Sequence, residues 1–244
     1  MPAEQRDSMA AAEYGSSAPA VAERLQAVRA RIAAAAQRSG RDAASVTLVG
    51  ITKGVDAALA REAFEAGLCD LGENRVAEAL EKIRAVGPGP RWHLVGHLQR
   101  NKARRAAGVF TMIHSIDGPA LARALDRATH DLGRRIPVLI EVNVAGEPSK
   151  FGVRPQEAGD LVRVVVACPH LEAVGLMTVA PLCDDPEAVR PVFRRLRLLR
   201  DRLRDGPAGE GFCELSMGMS GDYEVAIEEG ATLVRIGRAI FGER

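Results

Sequence analysis

The sequence predicts an α/β fold: a single closed parallel (β/α)8 barrel, a TIM barrel, preceded by one extra helix. Three observations carry this prediction. Short apolar runs and helical patterns alternate eight times with short connections, which restricts the architecture to a closed parallel barrel or a doubly wound open sheet. The chain has 244 residues, close to the roughly 250 of one such barrel. No strand is followed by GxGxxG, which removes the main support for a dinucleotide-binding open sheet.

Taken in order, Met1 to Ala20 is rich in Ala, Ser and Glu and lacks periodicity. Glu4, Arg6, Asp7 and Glu13 interrupt any apolar core a signal peptide would need, so residues 1–20 read as a tail and 21–244 as the barrel domain. Val21, Leu25, Val28 and Ile32 mark a helix to Arg38, ended at Gly40. Val46 to Thr52 is an apolar run suited to a strand buried on both faces. Asp56 caps a helix through Ala66, with Leu59, Ala63 and Ala66 on one face and Gly67 as its stop.

Leu68–Leu71 is the second strand, and Glu73-Asn74 opens a helix marked by Val76, Leu80 and Ile83. After the loop Gly87–Pro90 come strands at Trp92–Val95 and Thr111–His114, with a turn and helix between them. Leu121, Leu125 and Ala128 mark the next helix, and Pro137–Val144 is the fifth strand. A loop to Val153 leads into a helix with Leu161 and Val165, then a strand at Leu171–Leu176. Pro186–Leu203 reads as one long helix, Cys213–Leu215 as the seventh strand, Asp222–Glu229 as a helix, and Thr232–Ile236 as the eighth strand.

Composition excludes several classes. The 33 basic and 32 acidic residues give a net charge of +1, unlike the footprint of a nucleic-acid binder. Aromatic content of 4% argues against a stacking surface for single strands. Cys69, Cys168, Cys183 and Cys213 are widely spaced without a CxxC pair. Neither a disulfide framework nor a metal site is expected, and a cytoplasmic, reducing location fits. No apolar run reaches membrane-spanning length.

In such a barrel the chemistry lies at the carboxyl ends of the strands. Lys53 closes the first strand. Partial desolvation there would lower its pKa and free an amine for carbonyl chemistry; the bland alternative is a lysine that snorkels to solvent. The loop Ser216-Met217-Gly218-Met219-Ser220-Gly221 follows the seventh strand, and Gly237-Arg238 follows the eighth. Hydroxyls of Ser216 and Ser220, backbone amides freed by glycine, and the Arg238 charge suit an anion where these barrels often bind phosphate. The alternative is two glycine turns with exposed serines. Arg235, inside the apolar strand Leu233–Ile236, needs an acceptor in the barrel mouth. His93 alone reads as a hydrogen-bonded barrel residue. An aldehyde trap, an anion nest and an arginine between them suggest a ligand carrying an aldehyde and a phosphate on a rigid ring. Pyridoxal phosphate has that shape.

The runs Ile51-Thr52-Lys53, Gly72-Glu73-Asn74, Trp92-His93-Leu94-Val95-Gly96, Ser149-Lys150, Gly175-Leu176-Met177, Leu215–Ser220 and Val234-Arg235-Ile236-Gly237 through Gly242 resemble the pyridoxal phosphate homeostasis proteins. These are single-domain relatives of the alanine racemase barrel, the type III fold of pyridoxal phosphate proteins. The resemblance covers about Val21 to Gly242. It implies that Lys53 carries pyridoxal 5'-phosphate as a Schiff base. It further implies that Ser216, Gly237 and Arg238 hold the phosphate, that Arg235 meets the ring nitrogen, and that Asn74 and Met219 lie near the ring. In one departure, Gly54-Val55-Asp56 follows Lys53 where the family often has a second lysine and a proline. His97 stands where relatives commonly have a proline or another small residue.

The expected function is intracellular homeostasis of this cofactor, held without turnover. Amino acids and cofactor-dependent apoenzymes are the further expected partners, and the protein is expected to be a monomer. An amino-acid racemase and a lysine-dependent aldolase are the competing readings. Two-base racemisation needs an acid/base on each face of the substrate carbon. The relatives that racemise use a tyrosine from a second domain, for which this chain has no residues to spare. Its tyrosines are Tyr14 in the tail and Tyr223 in the helix after the seventh strand. His93, His97 and His114 stay open as bases in the mouth.

Overall fold

A computed structural model describes residues 20–243; apart from Ala20, the expected tail lies outside the described residues, as does Tyr14. Eight parallel strands close into a barrel in sequence order: β1 (Thr47–Ile51), β2 (Asp70–Glu73), β3 (Arg91–Leu94), β4 (Met112–Ile116), β5 (Ile136–Glu141), β6 (Leu171–Met177), β7 (Glu214–Ser216) and β8 (Leu233–Ile236). β8 pairs with β1, with Val49 opposite Arg235, which completes the ring. The expected barrel is therefore the fold.

The helices α1 (Val21–Arg38), α2 (Ala57–Glu65), α3 (Val76–Val86), α4 (Ala103–Val109), α5 (Pro119–Asp131), α6 (Ala158–Val166), α7 (Arg190–Leu203), α8 (Tyr223–Glu228) and α9 (Arg238–Phe241) wrap the strands. The extra helix α1 buries Val21, Leu25, Val28 and Ile32, the stripe read from the sequence. It is tied to the end of the barrel, because Arg24 donates to the Ile240 carbonyl at 2.6 Å. Just beyond α1, Arg41 donates to the carbonyls of Ile227 and Ala231. Two apolar layers result. The larger lies between strands and helices, and a small separate one gathers Val49, Ile51 and Leu233 of β1 and β8.

Several boundaries differ from the sequence reading for local reasons. β2 starts at Asp70 and runs through Glu73, two residues later than expected. Leu68 still belongs to the turn after α2, where its N–H reaches the Ala63 carbonyl at 2.9 Å. Polar Asp70 and Glu73 enter the strand because each finds a buried partner. Asp56 caps α2 as read, accepting from Leu59 N at 2.8 Å, but Ala60 and Ala63 form its buried face. The long helix splits: Pro186–Val189 is a 3-10 turn capped by Asp185, and α7 begins at Arg190. No helix among the described residues is long and apolar enough to cross a membrane.

Candidate functional site

A cavity of about 500 Å³ opens at the carboxyl ends of β1, β7 and β8. Lys53, Met219, Ser220, Arg235, Gly237 and Arg238 line it, with the Pro181–Cys183 loop over one side. Such a volume suits a small-molecule ligand.

Lys53 is exposed, so the partial desolvation expected of it is not present. β1 ends at Ile51, and the chain turns away at Gly54, whose φ is +66°. The residue before Lys53 is nonetheless firmly held. Thr52 N donates to Gly72 O at 2.9 Å, and Thr52 Oγ1 donates to Glu73 Oε1 at 2.6 Å. Lys82 Nζ, from α3, donates to both Thr52 O and Glu73 Oε1 at 2.5 Å. A buried ion pair thus fixes the strand end that presents Lys53. Val55, at the site of the missing second lysine, is buried.

The loop after β7 curls tightly at Gly218, whose φ is +94°. A Cβ there would lie 2.7 Å from Ala226 Cβ and 2.9 Å from Tyr223 Cα, so only glycine fits. The Gly218 carbonyl accepts from Arg235 N at 3.0 Å, which ties this loop to β8. Asp222 Oδ1 accepts from Met219 N at 2.6 Å, and burial pushes the Asp222 carboxyl above its usual range. The backbone N–H groups of Ser220, Gly221, Gly237 and Arg238 meet no acceptor among the described residues. Beside the exposed Arg238 they form a nest of donors suited to an anion.

Arg235 is buried at the floor of the cavity. Its Nη1 donates to Ser216 Oγ at 2.6 Å and its Nη2 to Thr178 O at 2.8 Å. Burial lowers its pKa to about 10, against the opposing charges of Glu141 and Asp222. Beneath it, Ser216 Oγ lies 2.8 Å from His114 Nδ1, and His114 Nε2 lies 2.9 Å from His93 Nδ1. His93 Nε2 lies 3.0 Å from Asp70 Oδ1, and Arg91 clasps the same carboxylate with two donors. Burial alone would raise the Asp70 carboxyl; the hydrogen bonds of His93 and Arg91, with the Arg91 charge, outweigh it and hold it at about 2. Burial depresses His114 well below the usual histidine range, and the nearby Arg235 charge adds to the effect.

The structure therefore gathers Lys53, Met219, Arg235, Gly237 and Arg238 around one cavity, but not every residue singled out from the sequence. Ser216 is fully buried, because its hydroxyl is engaged by Arg235 and His114; Ser220 lines the cavity instead. Asn74 lines a neighbouring cavity of about 450 Å³ with Gly96, His97 and Lys102. Of the three histidines left open as bases, His93 and His114 are buried in the barrel interior. His97 is half-buried, 2.8 Å from Asp117 Oδ2 and stacked on Phe151. Tyr223 lies on the helical layer beneath the Arg31 guanidinium, 5.3 Å from its ring centroid. Sequence reasoning missed Glu141, whose carboxyl is pushed up to about 7 by burial first and by Asp117 second. A lone acid at the end of the apolar strand Ile136–Glu141 was its only signal.

The profile of the family described as alanine racemase, N-terminal domain, matches residues 24–244. The pyridoxal phosphate homeostasis protein of Aquifex aeolicus is 44% identical over 223 residues, covering 91% of this chain and 97% of that protein. That of Pseudomonas aeruginosa is 42% identical, covering 92% and 96%. The structure of PipY from Synechococcus elongatus with pyridoxal phosphate bound superposes with a TM-score of 0.80 at 35% identity, covering 91% of this chain and all of that one.

Proposed function

This chain belongs to the pyridoxal phosphate homeostasis protein family, and on that premise we propose that it binds pyridoxal 5'-phosphate in the Lys53 cavity and holds it, without turnover, for intracellular cofactor homeostasis. The carrying observation is the convergence of the Lys53 amine, the Arg235 guanidinium and the loops after β7 and β8 on one cavity.

The residues present fit the cofactor. The N–H groups of Ser220, Gly221, Gly237 and Arg238, with the Ser220 hydroxyl and the Arg238 charge, would hold the phosphate. Lys53 would supply the amine for the aldehyde, Arg235 would face the ring nitrogen, and Met219 would flank the ring. When bound, the cofactor supplies an electrophilic aldehyde and an electron-withdrawing ring. Arg235 donates hydrogen bonds but is a poor acid, so it supports binding more than carbanion chemistry.

Residues 21–244 act in this reading as one ligand-binding domain. A monomer suffices, because one chain supplies the whole cavity. The recipients are apoenzymes that need the same cofactor, and amino acids are the small molecules that would compete for its aldehyde. The free state of all four cysteines supports a reducing, cytoplasmic setting. An amino-acid racemase needs a base opposite Lys53, and the burial of His93, His114 and Tyr223 weighs against it.

The test is borohydride reduction of protein reconstituted with pyridoxal phosphate, followed by peptide mapping. The reduced cofactor should lie on Lys53; attachment elsewhere, or none, overturns the assignment. Deuterium uptake at the α-carbon of amino acids in heavy water separates holding from racemisation.

A further inference from the structure

The contacts beneath the cavity form an unbroken line: Arg235, Ser216, His114, His93, Asp70. The links measure 2.6, 2.8, 2.9 and 3.0 Å, and every side chain in it is buried. It runs through the barrel interior from the cavity floor to the opposite end, where Arg91 closes on Asp70 from outside.

The two ends fix its direction. Arg235 can only donate, and the Asp70 carboxylate can only accept. His93 must therefore donate from Nε2 to Asp70. A neutral His93 then accepts at Nδ1, so His114 donates from Nε2 and accepts at Nδ1 from the Ser216 hydroxyl. Ser216 in turn accepts from Arg235. Each of the three interior groups, Ser216, His114 and His93, donates once and accepts once along the line.

The reverse arrangement requires a protonated His93 and has His114 donate to Ser216. The Ser216 oxygen would then receive two donors, while its own hydrogen meets no third partner among the described residues. It would also add a positive charge to an interior that already holds Arg235.

We propose that Asp70, His93, His114 and Ser216 are positioning residues, a one-way hydrogen-bond relay that orients Arg235 and sets the donor strength it offers to a ring nitrogen in the cavity. The final clause rests on the cofactor reading above; the direction of the relay does not. A hydrogen-bonded line ending in a carboxylate polarises each member in turn. Arg235 is thereby held against rotation from one side by Ser216 and from the other by Thr178 O. The nearby carboxyls of Glu141 and Asp222 add charge to Arg235 but are not links in the line.

Two measurements test this. The first is nitrogen-15 imidazole spectroscopy of the protein without added ligand; with five histidines in the chain, each ring can be assigned. Both His93 and His114 should be neutral, protonated at Nε2 and bare at Nδ1. An Nδ1 proton on either ring overturns the relay. The second is the visible absorption of the protein reconstituted with pyridoxal phosphate. Asp70→Asn should shift the cofactor band, Ser216→Ala should shift it and weaken cofactor binding roughly tenfold, and Asp70→Asn should add nothing in the Ser216→Ala background. Additive shifts would show that Asp70 acts by another route and would overturn the coupling. If the protein takes up no cofactor, the cofactor reading fails while the tautomers still decide the relay. If Asp70→Asn does not fold, the tautomers of the unaltered chain decide it alone.

Discussion

Lys82 Nζ and Glu73 Oε1 lie 2.5 Å apart, with both side chains buried between β2 and α3. A buried pair of this kind adds little net stability, because desolvation offsets the attraction, yet removing one partner strands the other. Lys82→Met should destabilise the fold by about 3–5 kcal/mol, read from urea denaturation. Lys82→Met combined with Glu73→Gln should recover part of that loss. A single variant as stable as the unaltered chain would show that the pair does not hold the end of β1.

Lys53, one residue from that cluster, carries no comparable structural duty, because its side chain is exposed. Lys53→Ala should change stability by no more than about 0.5 kcal/mol while abolishing borohydride-fixed cofactor. Loss of fold together with loss of cofactor would place Lys53 in the structure rather than in the site.

Ser220, unlike the fully buried Ser216, lines the cavity beside Arg238, so these two residues test the anion site. Each charge-assisted hydrogen bond to phosphate is worth roughly 1.5–3 kcal/mol. Ser220→Ala with Arg238→Ala should therefore weaken pyridoxal phosphate binding strongly with little change in melting temperature. Titration calorimetry showing unchanged affinity would mean that the phosphate is held elsewhere.

The contrast between the two serines shows what the sequence made legible. Alternation of apolar strands with helical patterns is set by backbone period, so the barrel, α1 and the loops after β7 and β8 could all be read in one dimension. Lys53 and Arg235 stood out because a charge in an apolar strand demands a partner. Whether Ser216 or Ser220 reaches the cavity depends on where β7 ends and how the chain turns at Gly218, which no sequence period sets. The relay was invisible for a different reason. Its members come from β2, β3, β4, β7 and β8; pairing of neighbouring strands brings Asp70 to His93 and His93 to His114, and only closure of the barrel brings His114 within reach of Ser216. Glu141 was passed over because nothing in the sequence marked where its carboxyl would end.

Glu141 gives the protein a pH-dependent weakness. Its carboxyl is buried, Oε2 has no hydrogen-bond partner among the described residues, and Asp117 lies close enough to repel its charge. These effects raise its pKa from 4.5 to about 7 in the fold. Between those values the folded chain binds more protons than the unfolded chain, so stability must fall as pH rises. The contribution is fully present below about pH 4.5 and lost as pH passes about 7, a difference of up to about 3 kcal/mol. Asp70, held at about 2, has the opposite dependence and titrates below this window. Glu141→Gln removes the charge without changing the shape. In the ligand-free protein it should match the unaltered chain near pH 4 and exceed it by up to about 3 kcal/mol near pH 8. Denaturation midpoints measured across that range, and subtracted at each pH, isolate the effect of this one carboxyl. A difference that stays flat with pH would mean that Glu141 ionises at the ordinary carboxylate value and that the end of β5 is open to water.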